Sequence, residues 1–126
     1  MKIYVAGNSL VKEDSLPLKL IPNLKKELPK FEIVEIDPNE DFVPEDSSVI
    51  IDTVVGINEV TLFTDIDQFA DHKLVSPHDY DLGFHLKFLK KMGKIINIKI
   101  IGVPQAAKKN QVINDITNVL KDFLRL

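Results

Sequence analysis

Cysteine is absent from the 126-residue sequence, and its absence excludes several kinds of chemistry. The chain can form no disulfide, no thiolate zinc site and no cysteine nucleophile. Any bound metal would be held by Asp, Glu, His or backbone oxygen, a donor set that favours hard or borderline ions. The five glycines do not form a phosphate-binding fingerprint, because the segment Gly7-Asn8-Ser9 lacks the P-loop lysine.

Long apolar runs are also absent, and none approaches the roughly 20 residues that cross a bilayer. The first residues enter a strand pattern directly, without the apolar region of a signal peptide. We therefore expect a cytoplasmic protein with no membrane partner. Its mass of 14.3 kDa fits a single domain over residues 1–126.

Basic residues are scarce in the first half of the chain. Residues 1–63 carry 6 basic and 12 acidic groups, whereas residues 64–126 carry 10 basic and 7 acidic groups. One basic cluster is present, formed by Lys87, Lys90, Lys91 and Lys94. It falls at the end of a predicted helix, where cations complement the helix dipole. We interpret it as a solvated helix end and expect no nucleic-acid partner.

The pattern of apolar residues predicts a three-layer α/β fold, with a five-stranded, mainly parallel twisted sheet and helices on both faces. Pro22 should kink or split the first helix. Gly93 should cap the second helix, whose apolar face would contain Leu82, His85, Leu86, Leu89 and Met92. The predicted strands are 2–6, 31–36, 48–55, an edge or antiparallel strand at 59–64, and 95–101. The predicted helices are 14–28, 78–92 and 105–125, with 65–75 either a loop or a short helix.

Three polar residues fall where such a sheet places its site, at the carboxyl ends of its strands. Asp14 follows the first strand after a short segment, Asp52 lies inside the apolar third strand, and His78 opens the second long helix. Each also has a structural interpretation. Asp14 could be a helix N-cap, Asp52 a carboxylate that accepts backbone N–H bonds, and His78 a first-turn histidine. His85 is predicted to be a core or cleft-wall residue, and His72 a surface loop residue.

A phosphoacceptor receiver domain is one alternative, since it combines an acidic pair after the first strand with an aspartate in the third. That class needs the acidic pair directly at the strand end and a lysine before the proline after the last strand. Here Glu13 and Asp14 lie six and seven residues beyond Gly7, and Val103 precedes Pro104. A phosphoryl group would therefore lack its cationic partner.

Four segments, in order, resemble the nickel–iron hydrogenase maturation endopeptidases. Residues 7–14 are similar to the family's opening motif, Gly-Asn-x-Leu followed by an acidic pair. Residues 50–54 match its central strand with one aspartate, and residues 76–79, with Leu82-Gly83, match its Ser-Pro-His segment. Residues 100–104 resemble the strand before its last helix. Departures are Ser15-Leu16-Pro17 in place of glycines and Gln105 where an acid is common.

The resemblance implies that Asp14, Asp52 and His78 converge as metal ligands and catalytic residues. It implies an endopeptidase that removes the C-terminal extension of a hydrogenase large-subunit precursor. The nickel would be delivered by the precursor, and Gly7 and Asn8 would lie near the scissile peptide. A second possibility is a non-catalytic module of the same fold that binds nickel or a hydrogenase subunit.

Overall fold

The computed structural model describes residues 1–7, 16–36, 43–54, 56–73, 82–105 and 107–124. Within this part of the chain, five strands and five helices alternate much as the apolar pattern predicts. The strands are β1 (Lys2–Ala6), β2 (Glu32–Ile36), β3 (Val49–Val54), β4 (Thr61–Phe63) and β5 (Lys99–Pro104). The helices are α1 (Leu16–Lys19), α2 (Ile21–Glu27), α3 (Ile66–Lys73), α4 (Leu82–Lys91) and α5 (Lys109–Leu124).

The five strands form one sheet in the order β2-β1-β3-β5-β4, which confirms the predicted α/β architecture. All neighbouring pairs are parallel except β4 with β5, so the predicted antiparallel edge strand is also confirmed. All six residues of the central strand β3 are buried. A strand covered on both faces must be apolar throughout, and this explains the continuous apolar run in its sequence.

Two apolar clusters cover the two faces of the sheet and produce the three layers. On one face, Leu24 of α2 and Ile116 of α5 pack against Val5 and Ile51. On the other, Phe69 of α3 and Leu86 of α4 pack with Ile50 and its neighbours. Because strand side chains alternate between faces, Asp52 shares the α3–α4 face with Ile50 and Val54.

The first predicted helix splits in two, as Pro22 requires. Helix α1 ends at Lys19, α2 begins at Ile21, and Pro22 occupies the first turn of α2, where its missing N–H costs nothing. The ambiguous segment 65–75 contains a helix, α3. His72 lies within α3, so its prediction as a loop residue is wrong.

The last strand and the last helix both begin later than predicted. The prediction of a strand at 95–101 is wrong at its start, because residues 95–98 form an irregular connection that leads into β5. Ile95 and Ile98 are buried in this connection, and burial explains why the segment has the apolar composition of a strand. The backbone N–H groups of Ile96 and Asn97 donate to Asp46 Oδ1, at 3.1 and 2.7 Å, instead of to a neighbouring strand.

Helix α4 ends at the predicted glycine. Gly93 has a φ of 73°, and its N–H donates to the Lys90 carbonyl at 3.0 Å. The Lys94 N–H reaches back to the Leu89 carbonyl at 2.9 Å, which completes a Schellman cap. Met92 precedes this cap and is 55% exposed, so its predicted place on the buried face is wrong. Met92 lies at the border of that face, where the end of the helix leaves it uncovered.

No helix in the described part of the chain is long and apolar enough to cross a lipid bilayer.

Candidate functional site

The candidate site begins with Asp52, a charged side chain in the middle of the sheet. It is the fourth of six residues in β3, between neighbours β1 and β5, and it is 1% exposed. Burial of a carboxylate in apolar surroundings costs several kcal/mol unless hydrogen bonds, a cation or a metal offset it. Folding alone would favour an aliphatic side chain here, so Asp52 is the described residue with the strongest claim to a functional role.

Part of that cost is offset by the backbone of the same strand. The Thr53 N–H donates to Asp52 Oδ1 at 2.9 Å, and this contact fixes the orientation of the carboxylate. It is the kind of bond that a purely structural aspartate would make. The burial of the carboxyl group itself, in a strand where both faces are covered, is what distinguishes Asp52 from the other described acidic residues.

Gly102 lies beside Asp52 on the neighbouring strand β5. The register pairs the two residues directly, and both belong to the α3–α4 face. A Cβ atom on Gly102 would lie 2.8 Å from Phe63 Cε2 and 2.8 Å from Val54 Cγ2, far inside contact distance. Glycine is therefore required here so that the Phe63 ring can pack over β5 beside Asp52. This non-local requirement explains a glycine inside a buried strand.

Gly7 marks the carboxyl end of β1, where it is buried directly after Ala6. The parallel register pairs Val5 with Ile51, so the chain leaves β1 beside the part of β3 that carries Asp52. Gly7 therefore lies at the carboxyl end of the sheet, and its role near the scissile peptide stays a prediction. Asn8, its predicted companion, lies outside the described residues.

Asp14 and His78 also lie outside the described residues, so their predicted convergence with Asp52 stays a prediction. Residues 8–15 follow Gly7, at the carboxyl end of β1. Residues 74–81 precede Leu82, the first residue of α4. Helix α4 leads toward the amino end of β5, so its start faces the carboxyl end of the sheet. Both segments therefore join the described structure on the side where parallel sheets place their sites.

Among the residues that the structure describes, no three Asp, Glu or His side chains form a group that could hold a metal ion. His85 is half-buried on α4, between the buried and the exposed face of the helix. The donor set Asp14, Asp52 and His78 would combine two carboxylates with one imidazole. That chemistry suits a borderline cation such as nickel or zinc.

A groove that the sequence analysis missed runs along the carboxyl ends of β3 and β5. Its first part, about 370 Å³, is lined by Gly56, Ile57, Pro104 and Gln105, among others. It shares Asn58, Pro104 and Ala107 with a second part of about 430 Å³, which extends along α5. Gly56 turns the chain after β3 with a φ of 85°. No motif marks this groove, since its walls come from three separate segments.

The receiver-domain alternative does not agree with the topology. Such doubly wound domains have five parallel strands in the order 2-1-3-4-5. Here the order is β2-β1-β3-β5-β4, and the edge strand β4 is antiparallel to β5.

No protein-family model and no curated protein matches this sequence. Solved structures do match its fold. The hydrogenase maturating endopeptidase HybD from E. coli is 18% identical, with 99% of this chain and 93% of that chain covered at a TM-score of 0.66. An endopeptidase from Escherichia coli, solved in solution, is 18% identical over 98% of this chain and 94% of its own, with a TM-score of 0.63.

The hydrogenase 3 maturation protease is 17% identical, with 97% of this chain and 87% of that chain covered at a TM-score of 0.60. These likenesses extend over nearly the whole chain, so they concern the complete arrangement of layers and strands. They confirm, at the level of the fold, the resemblance carried by the four sequence segments. The chain has the fold of the hydrogenase maturation endopeptidases.

Proposed function

We propose that this protein is an endopeptidase that removes the C-terminal extension of a nickel–iron hydrogenase large-subunit precursor. The observation that carries the proposal is Asp52, a buried carboxyl group at a position where folding alone would favour an aliphatic side chain. It lies on the central strand of a sheet shared with hydrogenase maturation endopeptidases. The four matching sequence segments support the same conclusion, because they follow one another along the chain in the family's order.

In this proposal the nickel belongs to the substrate. Asp14, Asp52 and His78 would bind the ion that the precursor carries, and the scissile peptide would then lie near Gly7 and Asn8. Two carboxylate oxygens and one imidazole nitrogen leave coordination positions for the precursor's own ligands. A precursor without nickel would offer nothing for these three side chains to hold, so recognition of the metal would give selectivity for the loaded precursor.

The chain's own residues can also supply the proton transfer that hydrolysis needs. The sequence has no cysteine and offers no identifiable Ser–His–Asp set, so we propose direct attack by water. One of the two carboxylates would accept the proton of that water. Asp52 is a candidate for this role because its carboxyl group lies buried on the central strand of the sheet.

The experiment compares nickel-loaded with nickel-free precursor, with cleavage measured by intact mass. We expect cleavage of the loaded precursor only, and its loss in Asp14→Asn, Asp52→Asn and His78→Gln. Asp65→Asn, which neutralises an exposed aspartate outside the proposed site, is the matched control and should cleave as the wild type does. Equal cleavage of both precursors, or full activity of Asp52→Asn, would contradict the proposal. Tight nickel binding without any cleavage would instead favour the non-catalytic binding module.

A further inference from the structure

Helix α4 carries apolar side chains on two faces, and only one of them packs against the sheet. Leu82, Leu86 and Leu89 are buried in the α3–α4 layer. Phe84, Phe88 and Met92 are 65%, 51% and 55% exposed. These three residues, the α4 stripe, recur every fourth position and therefore follow one side of the helix over about 12 Å. Exposed aromatic side chains add nothing to the core, so folding does not explain the stripe.

The stripe forms one wall of a groove. Phe84 and Phe88 line it together with Asp67 from the first turn of α3, and its volume is about 570 Å³. The Lys87 Nζ lies 3.8 Å from Asp67 Oδ1 and joins the two helices across the groove. A cavity of this size accommodates a few side chains of a partner. The surface is therefore concave as well as apolar.

Positive charge borders the stripe on one side. At about 100° per residue, Lys87 and Lys91 project from the flank next to Phe88, and Lys90 lies further round the helix. Lys87, Lys90 and Lys91 all line the groove, and all are exposed. The sequence analysis interpreted this basic cluster as a solvated helix end. The structure confirms that these lysines are exposed at the end of α4, and it also places Lys87, Lys90 and Lys91 along the edge of an exposed aromatic surface.

We propose that the α4 stripe is a docking surface for an amphipathic helical segment of a partner protein, whose apolar side chains are flanked by Asp and Glu. The apolar residues of that segment would enter the groove beside Phe84 and Phe88, as in other helix-in-groove complexes. Its carboxylates would pair with Lys90 and Lys91, and this pairing would fix orientation and raise the association rate. Docking at the α4 stripe would not require the proposed hydrolysis.

Two other occupants fit the surface less well. In a symmetric dimer formed through the stripe, the lysines of both copies would be brought together, and like charges at an interface are unfavourable. An anionic membrane would accept the lysines and the phenylalanines. However, the groove is concave, and the Asp67 carboxylate in its wall would face the lipid phosphates. A protein segment can fill the groove and leave Asp67 with Lys87.

The test selects binders from a displayed library of randomised 16-residue helical peptides, with the full-length protein as bait. We expect enriched peptides to combine apolar residues at i and i+4 with flanking Asp or Glu. Fluorescence anisotropy on an enriched peptide should show binding at least about tenfold weaker to Phe88→Ser/Met92→Ser, since two anchor side chains are lost. Lys90→Glu/Lys91→Glu should weaken it by a similar factor.

The matched control is Lys25→Glu/Lys26→Glu, the same charge reversal in the last turn of α2, on the opposite face of the sheet. It should bind the peptide as the wild type does. All substituted side chains are exposed, and circular dichroism checks that each variant is folded. No enrichment, enrichment of basic peptides, or equal binding by Phe88→Ser/Met92→Ser would overturn the proposal. So would self-association, or binding to phosphatidylglycerol vesicles, that is lost in the same variant while peptide binding persists.

Discussion

The close packing at Gly102 predicts a specific loss of stability in Gly102→Ala. The new methyl group would lie 2.8 Å from both Phe63 Cε2 and Val54 Cγ2. Both neighbours are buried, and the Phe63 ring also packs edge-on against Phe69, with centroids 5.9 Å apart. Neither neighbour can swing into solvent, so the strain must be taken up by shifts of the ring or of the strands.

The expected cost follows from two opposing effects. Overpacking of a buried site costs about 1–3 kcal/mol. Replacement of glycine by alanine also restricts the unfolded chain, which stabilises the protein by about 0.4–1 kcal/mol. The free energy of unfolding should therefore fall by about 1–2 kcal/mol. With a urea m-value of about 1–3 kcal/mol/M, the unfolding midpoint should fall by roughly 0.5–1 M.

A double-mutant cycle with Phe63→Leu separates steric strain from other causes. The smaller side chain gives the methyl group room, so the double variant should be more stable than the sum of the single effects by about 1 kcal/mol. Gly93→Ala is the matched control, because its φ is 73° and nothing lies within 4 Å of the added methyl group. Its cost comes from the backbone and should not couple to Phe63. A neutral Gly102→Ala, or equal rescue of both alanine variants by Phe63→Leu, would exclude steric strain against Phe63 as the cause.

Two further predictions concern carboxylates. Asp52→Asn keeps the shape of the side chain and an acceptor for the Thr53 N–H, whereas Asp52→Ala removes both and should cost about 1–3 kcal/mol more in urea unfolding; equal stability of the two would contradict this account. Hydrogen bonds from the backbone N–H groups of Asn97 and Ile96 hold the pKa of Asp46 below its ordinary value of 3.8. A lowered pKa stabilises the fold above the ordinary value and loses that effect as the pH falls through the folded value. Wild type should therefore be more stable than Asp46→Asn at pH 7, and the difference should shrink below about pH 4; a constant difference across that range would exclude this linkage.

Local sequence patterns predicted most of the sheet. The run at 48–55 gave β3 because a strand buried on both faces has to be apolar throughout, and alternation at 59–64 gave the antiparallel edge strand. Pro22 predicted the division of the first helix into two. Gly93 predicted the C-terminal cap of α4. Each of these features depends on the chemistry of a few adjacent residues.

The errors share one physical cause, which is contact between residues distant in the chain. Residues 95–98 have the composition of a strand but form an irregular connection, because Asp46, some 50 residues earlier, accepts the backbone N–H bonds of Ile96 and Asn97. In α4 the stripe through Phe84 and the stripe through Leu86 are both apolar. Periodicity alone could not show which of them faces the sheet, and Met92, at the border between them, is exposed because α4 ends just before it.

Two features of the chain do not stabilise the fold, and both lie on the α3–α4 side of the sheet. Asp52 alternates with Ile50 and Val54 on the face covered by α3 and α4, where an aliphatic residue would stabilise the core more. The stripe through Phe88 lies on the outer surface of that α3–α4 layer. A segment docked on the stripe would therefore sit above the layer that encloses Asp52. Helix α4 also follows directly on the segment that contains His78, so one helix links the proposed docking surface to the proposed ligand set.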